Sequence, residues 1–365
     1  MELEVKAEKI REPWLDYARV AAVFCVLICH ATESCYGTVL KERQMVGIRL
    51  WLAEHTLFTI GRLGVPIFLA ITGTLLLCKN IKPREFYMKS LCPLILTTEI
   101  WIMLNFVFVC VFQNKEFNFL ELGCQMLFLR NLELPHMWYM PMIIGIYVAI
   151  PFLAKLMNTN KEFKTYLVPL IMGIVGTALI PTINIFLKDT ELSMKTVDFI
   201  ISDSFLGGIY GLYLVFGYFI GRQKILTNVK SGILVAIAVV AFITNMGGQY
   251  YFYIRRIENA TGLTWYNSIN IFIMGLLLFE LIRRFFQHNH WKCPAVIQYV
   301  ARISFGIYLL HKPIIIVLLK YLPKELHDLI KIGILAVVGF GLSTLIVGIS
   351  LKISKRACRV LFFVK

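Results

Sequence analysis

The chain has 365 residues, 58% of them hydrophobic and 16% charged, and a mean hydropathy of +0.72. A soluble domain carries about 45–50% apolar and about 25% charged residues, so one globular core of this length cannot hide the excess. Disordered, coiled-coil, collagenous and disulfide-rich classes are excluded, and an integral membrane protein remains.

The formal charge is +15, from 37 Lys and Arg against 22 Asp and Glu. These cations lie in short connections between apolar runs, where they set topology and meet anionic membrane lipid. No nucleic-acid partner is expected.

Ten apolar segments approach the ~20 residues that a bilayer core requires: 13–33, 57–78, 91–112, 137–157, 166–187, 199–221, 231–251, 265–286, 296–319 and 328–351. The stretch 117–129 is apolar but short, and is expected to lie in the interface or re-enter. No polar segment is long enough for a soluble domain, so residues 1–365 are read as a single membrane domain. The fold class expected is all-α, a polytopic integral membrane bundle of about ten transmembrane helices.

Lys and Arg concentrate in alternate connections: the N-terminal segment, 79–90, 155–164, 222–230, 283–292 and the tail. These are expected to be cytoplasmic, with both termini inside. The first apolar run has an acid and a base near its start and no small-residue cleavage site, so a retained helix is expected.

Nine cysteines include no CxxC pair. Only Cys35 and Cys124 are placed to meet outside, and nothing requires it. No thiolate spacing supports a metal site.

The first apolar run reads PWLDYARVAAVFCVLICHATE. Ionisable side chains inside a span are costly and are functional candidates by default. Arg19 and His30 are separated by ten residues, which at 100° per residue places them within ~20° of one face and ~16.5 Å apart along the axis. Asp16 lies one turn before Arg19, and Glu33 one turn after His30. Pairing of Asp16 with a snorkelling Arg19 is the structural alternative.

The second run carries GRLGVPIFLAITGTLL. Arg62 shares a face with His55, and a buried guanidinium needs a carboxylate, carbonyls or a bound anion. An ion pair with Glu99 would be the structural solution. Gly61, Gly64 and Gly73 are expected to serve close helix packing, since no phosphate-binding glycine motif is present.

The fourth run opens with PHMWYMP, placing His136, Trp138 and Tyr139 at an expected membrane boundary. An aromatic belt explains such residues, although aromatic faces also stack on sugars. The ninth run contains ISFGIYLLHKP. Ser304 and His311 face one way, but no nucleophile elbow accompanies them, so a structural or substrate-contact role is expected for His311.

The run WLDYARVAAVFCVLICH resembles the opening helix of the membrane acyltransferase 3 family, whose arginine, ten intervening residues and histidine appear here as Arg19 and His30. The similarity continues in RLGVPIFLAITGTLL, MWYMPMIIGIYVAIP and ISFGIYLLHKP, in the right order over essentially the whole chain. The family includes O-acyltransferases that decorate surface polysaccharides, and the opening is similar to the enterobacterial common antigen O-acetyltransferase branch. One departure lies before the third span, where many members carry two arginines three apart. Here the segment is KPREFYMKSLCP, with Phe86 in place of the first, Lys89 in place of the second, and Arg84 nearby. The esterase-like or racemase domains of some relatives have no counterpart.

The resemblance implies transfer of an acyl group, acetyl expected, from cytoplasmic acyl-CoA to a hydroxyl of a glycan or lipid-linked sugar. Acetyl-CoA is then the donor substrate, no cofactor is bound permanently, and a bacterial cytoplasmic membrane is the expected location. His30 is the expected general base, with Glu33 orienting it. Arg19, Arg62, Arg84 and Lys89 are expected donor-binding residues, with Arg62 also suited to an anionic tetrahedral intermediate. Trp138, Tyr139 and His311 are expected substrate contacts. The ~16.5 Å between Arg19 and His30 is of the order of an extended pantetheine arm. The competing class is a transporter or flippase for a lipid-linked sugar, though no inverted repeat with interrupted helices supports it.

Overall fold

The computed structural model describes residues 11–42, 47–159, 162–187, 208–255, 260–288 and 293–364. Residues 1–10 and parts of the 155–164 and 283–292 connections, with their basic side chains, lie outside it. Among the described residues all regular structure is helical. The main helices are α1 (Pro13–Glu42), α2 (Ile48–Arg62), α3 (Gly64–Leu76), α4 (Pro83–Gln113), α5 (Phe119–Met126), α6 (Pro135–Thr159) and α7 (Phe163–Leu187). They continue as α8 (Gly208–Tyr218), α9 (Ser231–Arg255), α10 (Ile269–His288), α11 (Ala295–Tyr321), α12 (Asp328–Ile353) and α13 (Lys355–Leu361).

Eight helical stretches are long and apolar enough to cross a membrane, with α2 and α3 counted as one broken helix, Ile48–Leu76. Two further helices correspond to the remaining expected spans. The described part of α8 begins at Gly208 and runs into a π-helical turn, Phe219–Gln223; the first part of the expected 199–221 span lies outside the described residues. Helix α10 carries three charged residues, Glu280, Arg283 and Arg284, in its second half. The carboxylate offsets part of the positive charge: Arg283 and Arg284 both bond Glu280, at 2.7 and 2.6 Å.

The second span differs from expectation. Helix begins at Ile48 rather than near residue 57 and breaks at Leu63. Trp51, Glu54, His55 and Phe58 form a buried face that makes helix of the preceding segment despite its polar residues. The break follows from Pro66, which has no N–H to give the Arg62 carbonyl one turn earlier.

Helix α1 is the centre of the bundle, packed against α2, α3, α10, α11 and α12. Ala18, Ala22 and Ala31 are fully buried along it, and small residues of this kind let helix backbones approach in lipid. The glycines of the α2–α3 region do the same from the other side. A Cβ on Gly61 would lie 2.6 Å from the Cys29 backbone, and one on Gly64 would lie 2.5 Å from the Ala22 carbonyl. On Gly73 it would meet the Leu214 carbonyl of α8 at 1.8 Å. The expected packing role of these glycines is what the structure contains.

The short helix α5 is capped by Asn118, whose side chain accepts from the Glu121 N–H at 3.1 Å. Phe119 and Leu120 are exposed while Gln125 is buried and bonded to Glu133. This apolar face outward, polar face inward, suits a segment lying against lipid. Near the middle of α4, Thr97 Oγ1 ties down helix α13 by bonding the Val360 carbonyl at 2.7 Å. Cys25, Cys29, Cys78, Cys92, Cys110, Cys124, Cys293 and Cys358 are free thiols.

Candidate active site

A cavity of about 710 Å³ opens at one end of the bundle. Arg11, Lys79, Arg222 and Phe363 all line it. The start of α1, the connection after α3, the end of α8 and the C-terminal segment therefore share that end, as the alternation of basic connections requires.

The charge of this cavity is unbalanced. Arg11, Arg19, Lys79, Arg222 and Arg302 line it against only Glu12 and Asp16. Asp16 holds two guanidinium groups, Arg11 Nε at 2.7 Å and Arg19 Nη1 at 3.1 Å. The hydrogen bond from Arg11 to Asp16 also raises the Arg11 pKa, so its charge is fixed. Arg222 pairs with Glu12 and donates to the Thr74 carbonyl at 2.8 Å. Guanidinium groups held in fixed orientation match phosphate oxygens in bidentate fashion.

Deeper in, three walls of this cavity, Phe68, Tyr139 and Phe305, are shared with a small apolar pocket. Val26, Val65 and Tyr308 complete it. Beyond Tyr308 lie three imidazoles. The ring centroids of His30 and His311 are 5.1 Å apart, those of His136 and His311 5.1 Å, and those of His30 and His136 6.2 Å. Among the described residues no set of three or more His, Cys, Asp or Glu side chains is disposed to hold a metal ion.

The hydrogen bonds fix the tautomers. His30 Nδ1 lies 2.8 Å from Glu33 Oε2. A carboxylate only accepts, so Nδ1 carries the proton and Nε2 keeps a lone pair. His311 Nδ1 bonds the Tyr308 carbonyl, which likewise leaves Nε2 as an acceptor, here buried and without a hydrogen-bond partner among the described residues. Both ring nitrogens of His136 are buried with no hydrogen-bond partner among the described residues, the Leu309 carbonyl included. That carbonyl lacks its usual helical donor because the residue one turn on is Pro313. Tyr308 in turn donates to the His136 carbonyl at 2.7 Å, tying α11 to the start of α6.

Two cations approach the cluster. Lys312 Nζ lies 3.5 Å from Glu33 Oε2 and 3.2 Å from Ser34 Oγ. Arg62 is 7% exposed, with its guanidinium carbon 4.6, 4.9 and 5.5 Å from the ring centroids of Phe58, Trp265 and Tyr266. It makes no ion pair among the described residues. Glu99, the partner considered from sequence, keeps one oxygen unbonded. Aromatic faces attract a cation without neutralising it. Arg62 is not a wall of the basic cavity; the contact of Gly61 with Cys29 puts it level with His30.

The expected site residues thus divide. His30, Glu33, His311 and Arg62 gather at one depth, while Arg19 and Tyr139 line the cavity that leads there. Trp138 packs on Tyr210 and Tyr266, with centroids 5.5 and 5.4 Å apart. Arg84 and Lys89 are not among the cavity walls, and Lys89 is exposed and paired with Glu85. His136 stays at the start of its span, Pro135–Thr159, but it is 1% exposed and belongs to the histidine cluster rather than to an aromatic belt. Sequence spacing also missed Lys312, Tyr308 and the cavity cations Arg11, Lys79, Arg222 and Arg302. The run YLLHKP did signal Lys312, as a second cation beside an intramembrane histidine.

Residues 12–352 match the acyltransferase 3 family, described as an acyltransferase domain, and the chain belongs to that family. It is a multi-pass membrane acyltransferase, with an acyl donor and an acceptor as substrates. No curated protein and no solved structure matches the chain.

Proposed function

We propose that the protein is an O-acetyltransferase. It takes acetyl from acetyl-CoA and transfers it to a hydroxyl of a cell-envelope polysaccharide or its lipid-linked precursor, in a bacterial cytoplasmic membrane. The basic end of the bundle faces the cytoplasm. The resemblance to the enterobacterial common antigen branch supports a glycan acceptor.

One observation carries this reading: a continuous sequence of environments along one face of α1. Arg19 stands in the cationic cavity, Val26 in the apolar pocket and His30 among the imidazoles. Seven and eleven residues on from Arg19, both stay within ~20° of its face, at ~10.5 and ~16.5 Å along the axis. The first of these environments suits a charged nucleotide head and the last a reactive thioester, with the apolar pocket between them.

The chemistry follows from the tautomers. His30 Nε2 takes the proton of the acceptor hydroxyl as that oxygen attacks the thioester carbonyl carbon. Glu33 holds the Nδ1 proton and stabilises the imidazolium that forms. The C–O bond forms, and the carbonyl oxygen becomes an oxyanion beside Lys312 and Arg62. Collapse breaks the C–S bond, and the departing CoA thiolate recovers the proton from His30 Nε2.

Protein reconstituted in vesicles with acetyl-labelled CoA and a glycan-bearing membrane fraction tests the reading. Covalent label on the acceptor is expected. Movement of glycan across the vesicle without label would mark a transporter instead.

A further inference from the structure

The apolar pocket between the cavity and the histidines has a property the proposed transfer does not require. Its volume is only about 40 Å³. A cavity of ~150 Å³ is enough for a six-carbon ring, so this space corresponds to one or two carbons.

Its walls are held from several sides. Val26 is pinned by the start of α3, since a Cβ on Gly64 would come within 2.8 Å of its Cγ2. Tyr308 is fixed by its bond to the His136 carbonyl and by rings of Tyr139 and Phe305, at 5.5 and 5.9 Å. Val65 sits in the first turn of α3 and is buried. Both valines are β-branched and therefore stiff at χ1. Neither valine can make room for a longer chain by a small change of rotamer.

We infer that this pocket gauges the acyl chain, with Val26, Val65 and Phe305 setting the upper length of the group transferred. The inference rests on acyl-CoA as donor. The tail of the acyl group enters the pocket while the thioester carbon stays towards His30, one turn along α1 from Val26. Each methylene beyond the second carbon meets a wall, and a methylene in such a pocket is worth about 10–200-fold in kcat/KM.

The experiment measures kcat/KM for acetyl-, propionyl-, butyryl- and hexanoyl-CoA by release of CoA thiol, with a glycan-bearing membrane fraction as acceptor. Wild type should lose activity steeply from acetyl to butyryl. Val65→Ala and Val26→Ala should each raise butyryl-CoA use at least tenfold relative to acetyl-CoA. Val65→Ile should depress acetyl transfer while CoA still raises the thermal midpoint as in wild type, which separates a filled pocket from a misfolded protein. Equal use of acetyl- and butyryl-CoA by wild type would overturn the inference. So would an unchanged chain-length profile in both alanine variants that retain acetyl transfer. Absence of transfer from every acyl-CoA would overturn the donor reading itself, and the gauge with it.

Discussion

Glu33 Oε2 is shared by two groups from two helices: His30 Nδ1 at 2.8 Å within the same helix, and Lys312 Nζ at 3.5 Å from α11. The carboxylate therefore orients the imidazole locally and is itself anchored from a distant part of the chain. Glu33→Gln keeps the size but loses the charge. It should lower kcat about tenfold or more without changing KM for acetyl-CoA, as measured by initial rates in vesicles. An unchanged kcat would remove Glu33 from the mechanism.

His30→Ala should lower turnover roughly 10²–10⁴-fold with little change in donor affinity. The wild-type rate should rise with pH through a single ionisation, because a base must be neutral to accept a proton. Near-normal turnover in His30→Ala would transfer the role to His311, whose Nε2 is also a free acceptor. His311→Gln is the matching variant.

At the other end of α1, Arg19→Ala should abolish transfer and weaken the thermal stabilisation given by CoA. Arg19→Lys should retain a fraction, since charge survives while the planar fork does not. Arg222→Ala should weaken CoA binding as well. By contrast Arg84→Ala and Lys89→Ala should bind CoA nearly as wild type does, because neither side chain lines the cavity. Loss of CoA binding in the latter pair would relocate the donor site.

Gly73→Ala should impair assembly without touching the site. Its Cβ would stand 1.8 Å from the Leu214 carbonyl, which forces α3 and α8 apart. Overpacking of this kind costs about 1–3 kcal/mol and occasionally more. Detergent-solubilised variant should melt earlier and elute less uniformly than wild type.

Topology has its own check. A cysteine introduced at Lys79 should react with an impermeant thiol reagent only after cells are permeabilised. Efficient labelling from outside intact cells would invert the orientation.

The helical class, the α1 stripe and the packing glycines were legible because each is written in local spacing. Arg19, His30 and Glu33 fall on one helix, so a period of 3.6 residues suffices to relate them. His136 was not legible in that way. Its ring meets His30 because the start of α6 is tied to α11, which packs on α1, and its local surroundings, PHMWYMP, look like an ordinary membrane boundary. The cage around Arg62 is equally non-local, since Trp265 and Tyr266 come from a segment two hundred residues away. The cavity cations were missed for a third reason. Arg11, Lys79 and Arg222 are basic residues at helix ends and Arg302 lies within α11, and only their convergence makes a site.

The central position of α1 also governs how the protein is made. The helix that every neighbour surrounds leaves the ribosome before any of them. Its acid, its arginine and its histidine enter the bilayer before their shelter exists. The following α2–α3 region, with its glycines against Cys29 and Ala22, is the first cover available. The lysine that anchors Glu33 arrives 279 residues after it. Until α11 is made, the Glu33 end of α1 lacks both Lys312 and His311.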